Sequence, residues 1–253
     1  MSIEILDFVW EKIKDEAQLL VKSEPFLAKF LDNSLLQHDH LGGALSYILS
    51  KKLGDSVIPA ISVREIIEEA YILNPKIVCY AARDISVILQ RDPVVNLYST
   101  PFLYFKGFHA LQAYRISHWL WYQNRCALAI YFQNKISVSF GVDIHPAARI
   151  GCGIMLDHAT GIVIGETAVV DDNVSILQSV TLGGTGKEKV GFDRHPKIEK
   201  EVMIGAGAIL LGNIKIGYGA KIGAGSVVLH SVPSRVTVAG VVAKIVSGFD
   251  DIK

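Results

Sequence analysis

The chain has 253 residues, half of them hydrophobic and a fifth charged, with 25 basic side chains balancing 25 acidic ones. That is enough apolar material for one or two packed cores, which excludes disorder, and zero net charge removes the electrostatic case for nucleic acid or an anionic membrane. Apolar runs such as Cys126–Phe132 fall far short of the roughly 18–20 residues of a membrane span, and Glu4, Asp7 and Glu11 interrupt the start where a secretion signal would be apolar.

Helical spacing dominates up to about residue 140. Ile5, Phe8, Val9, Ile13 and Leu20 form one apolar stripe, with Ser2 as its cap and Glu4 and Asp7 in its first turn. Further helices are expected over about 24–36, over about 44–53, and around Ile66–Tyr71 with Ser62 as cap. Asn74-Pro75 starts another that stops before Asp92-Pro93, and the aromatic-rich stretch 100–138 holds two more.

Beyond residue 140 the rhythm changes to six. Ile144, Ile150, Leu156, Ile164, Val170, Ile176, Leu182, Ile204, Leu210, Ile216, Ile222 and Val228 recur in register. Four positions after each stands a second residue that is mostly small or apolar, such as Ala148, Ile154, Thr160, Ala168, Ala208 and Ala220. Three sides of six residues close one triangular turn, and stacked turns pair as parallel strands about 4.8 Å apart, with Gly at tight corners. The expected fold is α+β: a helical domain over 1–140, a left-handed parallel β-helix over 141–243, and a tail over 244–253. The rhythm breaks at Asp157–Gly161 and again across Gly183–Lys197, a stretch too polar for a coil side and so expected to protrude as a loop. Polar interruptions of a solenoid are where chemistry concentrates.

Three groups stand out. Asp143 with Asp157-His158 lie about two and a half sides apart, so they can converge on one edge. Arg194-His195 sit in the loop, and Asp92 lies at the end of the fifth helix. A histidine held by a carboxylate at a corner is equipment for a general base, although hydrogen-bonded surface or core histidine is the competing reading. His38, His40, His109, His118 and His230 have no polar constellation in the sequence and read as ordinary histidines. Cys79, Cys126 and Cys152 are odd in number and widely spaced, as free thiols of a reducing cytosol are, so a cytoplasmic protein is expected.

Lys106–Arg115 (KGFHALQAYR), Gly141–Pro146 (GVDIHP), Leu156–Gly161 (LDHATG), Val180–Gly186 (VTLGGTG) and Asp193–Lys197 (DRHPK) together resemble the serine O-acetyltransferases, over nearly the whole chain. The resemblance implies acetyl transfer from acetyl-CoA to L-serine as the first step of cysteine synthesis, with feedback inhibition by L-cysteine. It implies His158 as the base, paired with Asp143, and His195 as a second group near the hydroxyl or the developing oxyanion. Asp92 and Asp157 would take the serine ammonium and Arg194 its carboxylate. Gly184, Thr185, Ala206, Lys221 and Ala224 would hold acetyl-CoA, a co-substrate rather than a resident cofactor, with no metal. It further implies trimers joined through the β-helix and paired through the helical half into hexamers.

Three features depart from the family pattern: a slightly longer loop over Lys187–Phe192, Val242 where Pro is common, and a chain ending in Ile252-Lys253 rather than the Ile that docks into O-acetylserine sulfhydrylase. The last argues against that partner enzyme. Competing readings are a hexapeptide acetyltransferase for a sugar or antibiotic hydroxyl, a zinc lyase with His145, His158 and His195 as ligands, and a non-enzymatic scaffold.

Overall fold

A computed structural model describes residues 3–186, 192–241 and 243–248. The cap at Ser2, the added length within 187–191, Val242 and the Ile252-Lys253 end lie outside them. The chain divides into two compact units, Met1–Ile116 and Ser117–Lys253. No helix among the described residues is long and apolar enough to cross a membrane, and Cys79, Cys126 and Cys152 are all free thiols.

The first unit is helical. Helix α1 (Ile3–Ser23) buries Val9, Ile13 and Ala17 at four-residue spacing and packs against α5 (Lys76–Arg91). The single helix expected over 24–36 is instead a 3-10 turn (Pro25–Leu27), one α turn, α2 (Ala28–Leu31), and a π turn (Asp32–Leu36). Helix α3 (Leu41–Leu53) starts earlier than its apolar stripe suggests, because His40 Nδ1 accepts from Gly43 N–H and caps it. Helix α4 (Ala60–Leu73) starts directly after Pro59, so Ser62 lies inside it and is not its cap.

Helix α6 (Ser99–Tyr104) begins where both carboxylate oxygens of Glu16 accept backbone N–H bonds, from Tyr98 and Ser99. Helix α7 (Lys106–Tyr122) is buried on nearly every side. Its Arg115 donates from Nη2 to Asp84 Oδ2 at 2.7 Å, while Gln112 donates to the same oxygen at 2.9 Å. This buried pair ties α7 to α5, the helix that ends at Asp92. Removing one partner of such a pair costs about 3–5 kcal/mol.

In the second unit α8 (Cys126–Phe140) ends at Gly141, whose φ of +68° turns the chain out of the helix. A parallel β-solenoid of five coils follows, three-sided as its rhythm requires. Face one carries β1 (Val142–Ile144), β4 (Ile162–Ile164), β7 (Thr181–Gly183), β10 (Ile209–Leu211) and β13 (Val227–Val228). Face two carries β2 (Arg149–Ile150), β5 (Val169–Val170), β8 (Lys197–Ile198) and β11 (Lys215–Ile216). Face three carries β3 (Met155–Asp157), β6 (Ser175–Leu177), β9 (Met203–Ile204), β12 (Lys221–Ile222) and β14 (Val236–Ala239), and β15 (Lys244–Gly248) closes it antiparallel.

The six-residue aliphatics stack in register. Ile144, Ile164, Leu182, Leu210 and Val228 form one interior column, and Leu156, Ile176, Ile204, Ile222 and Val238 form another, all buried. The third column, Ile150, Val170, Ile198 and Ile216, includes Ile198, six residues before Ile204, which the sequence reading did not name. Thr160 is the one second-position residue among those named above that is exposed, since the turn before it is two residues too long for a plain corner.

His109 in α7 is fully buried, with Nε2 2.7 Å from Phe102 O. Burial pushes its pKa down to about 4 from 6.5, opposed by the Phe102 carbonyl and reinforced by Lys52. The unfolded chain therefore takes up a proton here below about pH 6.5 that the folded chain refuses until about pH 4, so stability falls as pH drops through that window. The His109 contribution should make the protein about 2 kcal/mol less stable at pH 5 than at pH 7. Urea unfolding of wild type and His109→Gln at both pH values checks this; equal slopes in the two proteins would contradict it.

Candidate active site

Two edges of the solenoid carry polar chemistry. The first joins face three to face one, where the chain leaves β3 through Asp157–Gly161. His158 and Ala159 both take left-handed φ, +54° and +63°, and Gly161 takes +77°. Each such non-glycine residue costs on the order of 1–2 kcal/mol, so the turn holds only because it is stapled. Gly161 N–H donates to Gly141 O at 2.7 Å, and Ser179 N–H from the next coil donates to Thr160 O at 2.8 Å. The result lifts His158 into solvent, with its side chain 74% exposed and Nε2 3.7 Å from Asp157 Oδ1.

Asp143, on β1, accepts from Gln133 Nε2 of α8 at 2.6 Å. No hydrogen bond joins Asp143 to His158 among the described residues. The two belong to neighbouring segments, since the Gly161–Gly141 bond fastens the His158 turn beside the start of β1. Ala206 and Ala224 occupy this same edge two and three coils further on, where Gly225 N–H donates to Ala206 O at 2.8 Å, and Lys221 lies on β12 of face three.

The second edge joins face one to face two. Here the first coil presents His145, the second Gly165-Glu166-Thr167, and the third Gly184, Thr185, Arg194 and His195. Arg194 Nη2 donates to Glu166 Oε2 at 2.6 Å, and Nη1 is buried with no partner among the described residues. The Arg194 stem packs over Gly184, and Thr185 Cγ2 over Gly212. His195 is 7% exposed. Its ring lies so close on Gly165 that a Cβ there would overlap Nε2 and Cδ2. Burial lowers the His195 pKa, helped by the cationic Arg194 and Lys197 and opposed by Glu166. His145 stacks edge-on against Trp121 with centroids 5.1 Å apart, and burial lowers its pKa as well, against the pull of Glu166 and Asp143. A groove of about 230 Å³, lined by Ala147, Arg149, Glu166, Thr167, Ala168 and Asp193, opens beside the cluster.

The sequence-derived residues thus fall into separate places. His158, Asp157, Ala206 and Ala224 stand on or next to one edge, and Arg194, His195, Gly184 and Thr185 on another. Asp92 caps the C-terminus of α5 in the helical unit, where its Oδ1 accepts from Val94 N–H at 3.1 Å. The sequence reading missed Glu166 and Thr167, although their corner position one coil before Arg194 follows from the six-residue register. His38 and His40, read from the sequence as ordinary histidines, line a groove of about 400 Å³ with Arg64, Glu68 and Tyr71. Among the described residues no group of three or more His, Cys, Asp or Glu side chains gathers as a metal site would require.

Residues 9–113 match the family described as serine acetyltransferase, N-terminal, and residues 195–230 match the bacterial transferase hexapeptide family (six repeats). The chain is 62% identical to the serine acetyltransferase of Escherichia coli K12 over 253 residues, 100% of this chain and 92% of that one. A solved serine acetyltransferase in complex with cysteine superposes with a TM-score of 0.92 at 62% identity, covering 94% of this chain and 98% of that one. Another, in complex with CoA, superposes with a TM-score of 0.92 at 60% identity, covering 95% and 100%.

Because a Cβ at position 165 would overlap the imidazole, Gly165→Ala should unseat His195 and the backbone beside it. Loss of hydrogen bonds worth about 1 kcal/mol each corresponds to amide exchange faster by roughly tenfold or more across 193–197. Exchange mass spectrometry of that segment reads it, and unchanged protection would show that the ring moves aside freely.

Proposed function

The chain belongs to the serine acetyltransferase family, and on that premise we propose how its residues divide the work of moving an acetyl group from acetyl-CoA to L-serine. The serine hydroxyl is a poor nucleophile at neutral pH, so its attack on a thioester needs a base within hydrogen-bond reach. His158 takes the hydroxyl proton as the oxygen attacks the acetyl carbonyl. The tetrahedral intermediate collapses to O-acetyl-L-serine, and the departing CoA sulfur takes the proton back from the imidazolium. Asp143 orients the ring and stabilises its charged form, as the carboxylate of a triad does. Asp157 takes the substrate ammonium, and His195 donates a hydrogen bond to the hydroxyl or the oxyanion.

The observation that carries this assignment is Arg194. One side of its guanidinium is fixed by Glu166 while Nη1 is buried with no partner among the described residues. A buried donor without an acceptor fits a carboxylate supplied by the substrate, and a neutral sugar or drug alcohol offers none. L-cysteine carries the same ammonium and carboxylate, which supports its competition at this site. Acetyl-CoA lies along Ala206 and Ala224 on one edge, with Lys221 of face three beside them, and meets Gly184 and Thr185 on the other.

His158 and His195 stand on different edges of one prism, which supports a site completed between two copies of the solenoid in a trimer. Trimers then pair through the helical half, and the enzyme acts in the cytoplasm.

Two experiments test these assignments. Release of CoA thiol should require L-serine and fall with added L-cysteine, and Arg194→Ala should raise the KM for serine about 10–100-fold while leaving that for acetyl-CoA nearly unchanged. Equal effects on both constants would place Arg194 elsewhere. Mixed oligomers of His158→Ala and His195→Ala, each inactive alone, should recover roughly a quarter of wild-type activity if a trimer assembles at random with shared sites. No recovery would put both histidines in one chain's site.

A further inference from the structure

Thr167 spends every polar atom on the segment that carries Arg194 and His195. Its Oγ1 accepts from Arg194 N–H at 3.0 Å and from His195 N–H at 3.1 Å, which uses both lone pairs. The hydroxyl hydrogen faces two acceptors, His195 Nδ1 at 2.9 Å and the Asp193 carboxylate, whose pKa it helps to lower. Thr167 N–H also donates to Nδ1, at 3.1 Å, and Thr167 O accepts from Lys197 Nζ at 2.7 Å. Lys197 Nζ in turn bonds Asp193 Oδ1 and His195 O, closing the limb on itself.

A backbone N–H can only donate, so Nδ1 must be the unprotonated nitrogen and the ring proton sits on Nε2. Nε2 lies over Gly165 and makes no hydrogen bond among the described residues. The geometry points to Thr167 as the positioning residue of the acetyl-transfer site: it seats Arg194 and His195 together and fixes His195 as a neutral Nε2–H donor, unable to serve as a base through that nitrogen. This rests on the serine acetyltransferase reading and sharpens it. His158 alone moves the proton, while His195 offers a fixed hydrogen bond to the oxygen on which charge develops.

The charged and titratable groups facing His195 act in the same direction, with one exception. Arg194 and Lys197 on its own limb and His145 on the first coil disfavour a second ring proton, Glu166 on the second coil favours it, and burial disfavours it most. Protonating Nδ1 would in addition break both Thr167 bonds.

Histidine-labelled ¹⁵N spectra of the intact enzyme, with His195 assigned by its loss in His195→Gln, read the tautomer directly. Wild type should show His195 as the Nε2–H form alone, still neutral below pH 6.5; an Nδ1–H form would overturn the proposal whatever the activity. Thr167→Val removes the hydroxyl and keeps the shape. It should raise the His195 pKa and lower kcat about 10²-fold, as a displacement near 1 Å does, while the KM for acetyl-CoA holds. Thr167→Ser keeps the hydroxyl and should restore both the titration and most of kcat. A Thr167→Val enzyme with wild-type kcat, or a Ser variant as impaired as Val, would overturn the positioning role. If wild type showed no serine-dependent turnover, the family reading would fail while the tautomer stood or fell by its own spectrum.

Discussion

Parallel strands in a stacked coil must keep their interior side chains in register, because each aliphatic rests on the one from the coil above. From Ile164 to Leu182, and again from Leu210 to Val228, one coil takes 18 residues. From Ile144 to Ile164 it takes 20, and from Leu182 to Leu210 it takes 28. The columns stay continuous through both, so the excess falls at a corner between faces. The two-residue excess becomes the left-handed turn at His158, and the ten-residue excess becomes the loop that returns through Arg194 and His195. The core thus fixes where reactive groups can stand, and the same ladders that resist deformation hold those groups still.

The two expelled segments are secured by different means. At His158 the backbone itself is strained, with successive left-handed residues held by Gly161 on Gly141 and by Ser179 on Thr160. That arrangement leaves the side chain exposed, as the base proposed for this site would need in order to meet an incoming hydroxyl. At His195 the backbone is not left-handed, and order comes from side-chain bonding to Thr167 and from a ring laid on a glycine. A base needs freedom to accept and return a proton, whereas a hydrogen-bond donor contributes most when its direction is fixed in advance.

Much of this was legible in the sequence because the solenoid core repeats. Once six-residue spacing is established, each aliphatic predicts the next, and interruptions announce themselves as departures. Ile198 sits six residues before Ile204 and fits the count, but it was left out with the polar stretch Gly183–Lys197 that it directly follows. Glu166 and Thr167 escaped for a related reason: a corner Glu-Thr looks like any solvent-facing pair until the loop residues are folded onto it. Ser62 was misread because a Ser four residues before an apolar pair resembles a cap, while Pro59 had already fixed the helix start. The helix expected over 24–36 shows the limit of apolar spacing, which does not separate a continuous helix from 3-10, α and π turns in succession. The convergence of Asp143 and His158 on one edge was read from spacing and their roles as a pair from family resemblance; in the structure Asp143 accepts from Gln133.

The division of the reactive groups between two edges bears on why such an enzyme would assemble. A triangular prism is convex, so neither edge alone can enclose a substrate, and a serine lying on the His158 turn would be open to water on its other side. Placing the edge with Arg194 and His195 of one prism against the edge with His158 of another makes a cleft from two convex surfaces. Three prisms around an axis do this three times with one repeated contact, which is closed symmetry at its simplest. On the proposed reading the contact that completes the site would also exclude water from the thioester, and an isolated chain, with His158 on one edge and Arg194 on another, would not use both on one serine.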